Sequence, residues 1–97
     1  MITSKQRSNL IKLANNLDTL AHIGKNGITD AVVNQISELL ELKELVKIGV
    51  QKSFELSANE IIRELAEKLK AEPVHAIGSK IVLYRKSKKE GVEHIKF

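Results

Sequence analysis

Apolar residues return along this chain at two alternating periods, and the switches between periods mark the elements. Leu10, Leu13, Ala14 and Leu17 recur at the i, i+3, i+4, i+7 spacing of an amphipathic helix, and Thr3 with Gln6 forms a capping-box pair. A first helix is predicted over residues 3–16. Thr19 to Ile23 is short, apolar apart from His22, and bounded by Asp18 and Gly24, which reads as a strand. Thr29 then caps a second helix to about Leu42, with Asp30 in its first turn and Val32 or Val33, Ile36, Leu39 and Leu40 on its apolar side. Val46, Ile48 and Val50 alternate, so Glu44 to Val50 is a second strand.

Ser57 with Glu60 repeats the capping box, Leu56 and Ile61 suit its hydrophobic staple, and Ile61 or Ile62, Leu65, Ala66 and Leu69 line the third helix. Pro73, the only proline, ends that helix. Val74 to Ile77 and Lys80 to Arg85 read as the two strands of a hairpin, turning through Gly78-Ser79. The order α-β-α-β-α-β-β predicts an α/β (α+β) fold in two layers. Strands separated by a single helix are expected to pair in parallel and the last hairpin to be antiparallel, giving a mixed four-stranded sheet. One domain is expected over residues 1–97, with a core at about 3–86 and a basic tail, 87–97, mobile for part of its length.

Composition narrows the function more than the fold. The 97 residues are 42% hydrophobic, enough for a core, and contain no cysteine, which removes disulfides, thiolate metal ligands and thiol nucleophiles. The opening MITSKQRSNL lacks the apolar run of a signal peptide, and no stretch approaches a membrane span, so a cytoplasmic protein is expected. Charge is segregated: residues 1–29 carry net +3, residues 30–72 net −3 and residues 73–97 net +4. Basic ends around an acidic middle suggest a polyanion held on one part of the surface.

The candidate chemistry centres on Gly24-Lys25-Asn26-Gly27. Two glycines around a cation and an amide suit a tight turn with an accessible backbone, feeding a helix N-terminus that favours an anion. An exposed turn that needs glycine only for its geometry is the plainer alternative. If the first three strands are parallel, this turn, Gln51, Lys52 and the Gly78-Ser79 turn share one sheet edge, with Lys80 beginning there. The first helix must run back, bringing Lys5 and Arg7 toward the same edge, while Lys12 shares its basic face. Arg85, Lys86, Lys88 and Lys89 begin at the opposite end as a second basic patch.

An enzyme lacks parts. His22, His75 and His94 show no metal-ligand spacing; His22 and His75 can approach across the sheet, where a partnered histidine is the usual finding. Glu60, Glu64 and Glu67 read as a solvated helix face, and no Walker or dinucleotide motif is present. No catalytic residue, metal or cofactor is expected. With only Phe54, Tyr84 and Phe97 aromatic, a stacking platform is not expected either, which favours backbone-phosphate contacts should the polyanion be a nucleic acid.

IGKNGIT and VHAIGSKIVLYR, at this spacing and behind a basic N-terminal helix, resemble the bacterial YhbY family. This is the single-domain form of the CRM domain (chloroplast RNA splicing and ribosome maturation). The resemblance spans at least Ser4 to Lys86. It implies a fold similar to the C-terminal domain of translation initiation factor three, RNA binding through Gly24, Lys25, Asn26 and Gly27, and association with large-subunit ribosomal RNA or its precursor particle. Lys5, Arg7, Lys12, Lys52 and Lys80 join the expected RNA-binding set by placement, and a monomer is expected. Two alternatives stay open: a KH-like module, whose GxxG joins two helices, and a protein-interaction adaptor using the acidic helices.

Overall fold

Each helix begins where its cap residue places it. In the structure, a computed structural model that describes residues 2–51 and 57–97, α1 spans Ser4–Ala14, α2 Asp30–Lys43 and α3 Ala58–Leu69. Thr3 accepts the Gln6 N–H at 3.0 Å while the Gln6 side chain accepts the Thr3 N–H at 2.9 Å, a complete capping box. Thr29 accepts the Val32 N–H at 3.2 Å and Ser57 the Glu60 N–H at 3.3 Å, each satisfying one free donor of a first turn. The expected Leu56 staple lies outside the described residues.

The strands are β1 (Thr19–Ile23), β2 (Leu45–Val50), β3 (Glu72–Ile77) and β4 (Lys80–Tyr84). They form one mixed four-stranded sheet in the order β1-β2-β4-β3. β1 and β2 pair in parallel, and β4 is antiparallel to both β2 and β3. The expected direct pairing of the second and third strands is therefore corrected: β4 lies between them. Pro73 supplies a reason, since it sits inside β3 and has no N–H to give a second neighbour, which suits an outer strand. Ile81 to Tyr84 are all buried, as an inner strand requires. Strand directions remain as expected, because β3 still runs with β1 and β2.

α2 and α3 cover one face. Ile36 and Leu40 from α2 and Ile61, Leu65 and Leu69 from α3 pack on Val46, Ile48, Ile81 and Leu83. The opposite face is partly covered by α1. There Leu10 and Ala14 meet Leu45, Val74, Val82 and Tyr84, with Ile95 and Phe97 from the tail packed alongside.

The chain after β4 has defined contacts where the sequence suggests a partly mobile tail. Their hub is Glu44, which ends α2 at φ +65° with its side chain fully buried. Its carboxylate accepts the Ser87 N–H at 2.6 Å, the Ile95 N–H at 2.7 Å and the His94 Nδ1–H at 2.7 Å. Burial pushes the Glu44 carboxyl up, but these three donors outweigh it and hold the group below the usual carboxylate range. Phe97 meets Tyr84 edge to face, with ring centroids 4.8 Å apart.

Candidate nucleic-acid interface

The Gly24-to-Gly27 segment is a single tight turn, closed by the Gly27 N–H on the Gly24 carbonyl at 2.9 Å. Its two glycines have different reasons. Gly27 has φ +70°, which an L side chain resists, whereas Gly24 has ordinary φ and a Cβ there would meet only Gln51 Oε1 at 3.8 Å. Lys25 and Asn26 form the exposed tip, and among the described residues no backbone hydrogen bond engages their N–H groups. The tip therefore offers two amide donors, the Asn26 side chain and an ammonium to one anion. The helix N-terminus behind it contributes less than its dipole suggests: Thr29 already takes the Val32 N–H, and Asp30 puts a negative charge in the first turn.

Strand polarity brings other segments to the same edge. The Gln51 N–H donates to the Ile23 carbonyl at 2.8 Å, and the Val50 N–H donates to the Ser79 carbonyl at 2.7 Å, so the ends of β1 and β2 and the hairpin turn are tied together. Between them lies a groove of about 300 Å³, lined by His22, Gly24, Gly49, Gln51, Ser79 and Lys80 among others. Lys80 thus lines the same groove as Gly24, brought there by the pairing of β4 with β2.

The remaining sequence candidates separate. Lys5 and Lys12 are exposed and Arg7 half-buried on α1, which packs against β2 and β3. Lys12 is in the last turn, close to the start of β1 and so toward the end of the sheet away from the Gly24 turn. Lys52 lies outside the described residues. Arg85 is not part of a free basic patch: its guanidinium donates to the Leu69 carbonyl at 2.9 Å and to the Ser37 carbonyl and hydroxyl, each at 3.0 Å, with Glu41 at 3.5 Å.

The histidines also separate. His22 and His75 occupy the two outer strands, with β2 and β4 between them, so the approach across the sheet does not occur. His94 pairs with Glu44. Sequence reading missed Glu44 altogether, because a glutamate following an acidic helix looks solvated; its position as the last residue before a buried strand was the available signal. Among the described residues, no group of three or more His, Asp or Glu is placed to hold a metal ion, and no helix is long and apolar enough to cross a membrane.

A strand precedes Gly24, where a KH module has a helix, so the KH alternative is set aside. The decisive comparison is with protein families: the model of the CRS1 / YhbY (CRM) domain matches residues 2–85. The chain belongs to the CRM domain family. Among CRM relatives, "Probable RNA-binding protein YqeI" of Bacillus subtilis is 36% identical over 91% of this chain and 92% of its own. An "RNA-binding protein" of Haemophilus influenzae is 32% identical over 95% and 93%. The solution structure of the hypothetical protein SAV1595 from Staphylococcus aureus matches with a TM-score of 0.71 and 39% identity, covering 98% of this chain and all of that one.

Proposed function

We propose that this CRM protein is a non-catalytic RNA-binding protein whose central contact is the Gly24-to-Gly27 turn with Lys80, with Lys5, Arg7, Lys12 and Lys52 as further basic contacts. The observation that carries this reading is convergence. The exposed donors of Lys25 and Asn26 and the Lys80 side chain occupy one sheet edge, although more than fifty residues separate them in the chain. Membership of the CRM family and the names of the relatives support RNA as the ligand. The family resemblance further supports structured ribosomal RNA, in precursors of the large subunit, as the target, reached in the cytoplasm by a monomer.

The test is Lys25→Asp combined with Asn26→Asp. Both side chains are exposed, so thermal stability stays near native while RNA affinity falls. Affinity should also drop with salt, log K falling by roughly 0.7 to 0.9 per phosphate neutralised for each unit of log salt. Unchanged affinity in the double variant removes the turn from the interface, and a flat salt response removes the electrostatic mechanism. Gradient sedimentation of extracts tests the ribosomal target: the protein should travel with large-subunit precursors. Partners that persist after nuclease treatment would favour the adaptor reading.

A further inference from the structure

One row of residues crosses the whole sheet beside the Gly24 turn. His22 pairs with Gly49, Gly49 with Lys80, and Lys80 with Ile77, so a ring, a bare backbone, a cation and an apolar side chain stand in register across all four strands. Strand spacing puts the His22 and Lys80 Cα atoms about 10 Å apart. Gly49 explains how the ring is held. A Cβ at Gly49 would lie 2.7 Å from His22 Nδ1, closer than such atoms approach, and a tight 3.1 Å from its Cε1, so the imidazole leans into the space that glycine leaves. The backbone at Gly49 has no positive φ, hence the glycine serves that approach and not a turn. His22 is nonetheless exposed, and Ile77 is 65% exposed, so this row is not core packing.

We propose that this groove seats one unpaired RNA nucleotide, its base stacked on His22; the proposal rests on the RNA-binding reading above and names the RNA feature recognised. A volume of about 300 Å³ is at the small end of ligand sites and suits a single nucleoside. Histidine is among the side chains on which unstacked bases lie in RNA complexes. Gln51 carries a donor and an acceptor for a base edge, its Oε1 lying near Gly24. Lys80 on one side and the Lys25-Asn26 tip on the other meet the phosphates that flank such a nucleotide. A base inside a duplex is stacked on both faces and cannot enter. The recognised element is therefore a stem interrupted by a loop or bulge.

The experiment compares two RNAs of equal length, a continuous duplex and the same stem with a single bulged 2-aminopurine, bound to the full chain. Native protein binds the bulged RNA more tightly and changes the fluorescence of its probe base. His22→Ala lowers affinity for the bulged RNA about tenfold and leaves the duplex unchanged. Gly49→Ala does the same by displacing the ring, with the thermal melt confirming a folded chain, and His22→Phe restores binding by restoring a flat ring. Equal loss on both RNAs, no loss on either, or an unresponsive probe base overturns the nucleotide seat. The Lys25→Asp, Asn26→Asp protein separates the two readings, since it must weaken both RNAs alike. If it weakens neither while His22→Ala still discriminates, the turn assignment fails and the seat stands. If native protein binds neither RNA, both fall.

Discussion

The His94 ring meets the buried carboxylate of Glu44 at 2.7 Å, joining the end of α2 to the last residues of the chain. The same carboxylate takes two backbone N–H groups, so the C-terminal segment is held by one fully buried side chain. Glu44→Ala is expected to destabilise the protein by about 3 kcal/mol, because donors paired in the interior lose their acceptor. Glu44→Gly should be less damaging by about 1 kcal/mol, since it relieves the positive φ that alanine retains. Chemical denaturation measures both, and a glycine variant no better than alanine would show that backbone strain at this position is negligible.

The Glu44 carboxyl is held below the usual carboxylate range, with burial opposing and the Ser87, His94 and Ile95 donors prevailing. Glu41 is lowered as well, chiefly by the Lys88 N–H and the Ser87 hydroxyl. For a depressed carboxylate the stabilisation is complete above the unfolded value, about 4.3, and is lost as pH falls through the lower native value. The Phe97 ring should therefore keep its contact with Tyr84 at pH 5 and lose it under more acid conditions, before the sheet unfolds. Aromatic proton shifts read this directly. Glu44→Gln should flatten the acid limb of the stability curve.

The two glycines of the turn should respond differently to alanine. Gly27→Ala meets a φ of +70° and should cost about 1 kcal/mol in thermal or chemical unfolding. Gly24→Ala has ordinary φ and room for a Cβ, so stability stays near native, while RNA affinity falls because the methyl group narrows the groove toward Gln51. A Gly24→Ala protein with native RNA affinity would show that RNA does not approach that backbone.

Arg85→Lys should lower stability by about 1 to 2 kcal/mol, because one ammonium cannot span the Leu69 and Ser37 carbonyls that the guanidinium fork reaches together. RNA affinity should hold, as the charge is kept and the residue is turned inward. A substantial loss of affinity would return Arg85 to the interface.

The local part of this fold was legible before any coordinates. Thr3, Thr29 and Ser57 cap helices because a hydroxyl and an N–H three residues on are neighbours in any helix start, whatever surrounds them. The parallel run of the strands followed from the single helices that carry the chain back between them, and it put Lys80 on the same sheet edge as Gly24; its place next to β2 came from the β2–β4 pairing. Pro73 also held information that went unused, since a residue without an N–H marks an outer strand.

Periodicity by itself thus determined the elements, their order and the sheet edge where the turn lies, because those depend on contacts within a few residues or on the reach of a linker. Only tertiary structure decided that β4 separates β2 from β3, that Glu44 is buried with residues 85–97 folded onto it, and that His22 lies over Gly49. Each of these joins residues far apart in the chain. The stability of a buried carboxylate or a leaning ring is set by the distant partner that supplies its hydrogen bonds or its space, and no local pattern carries that partner's position.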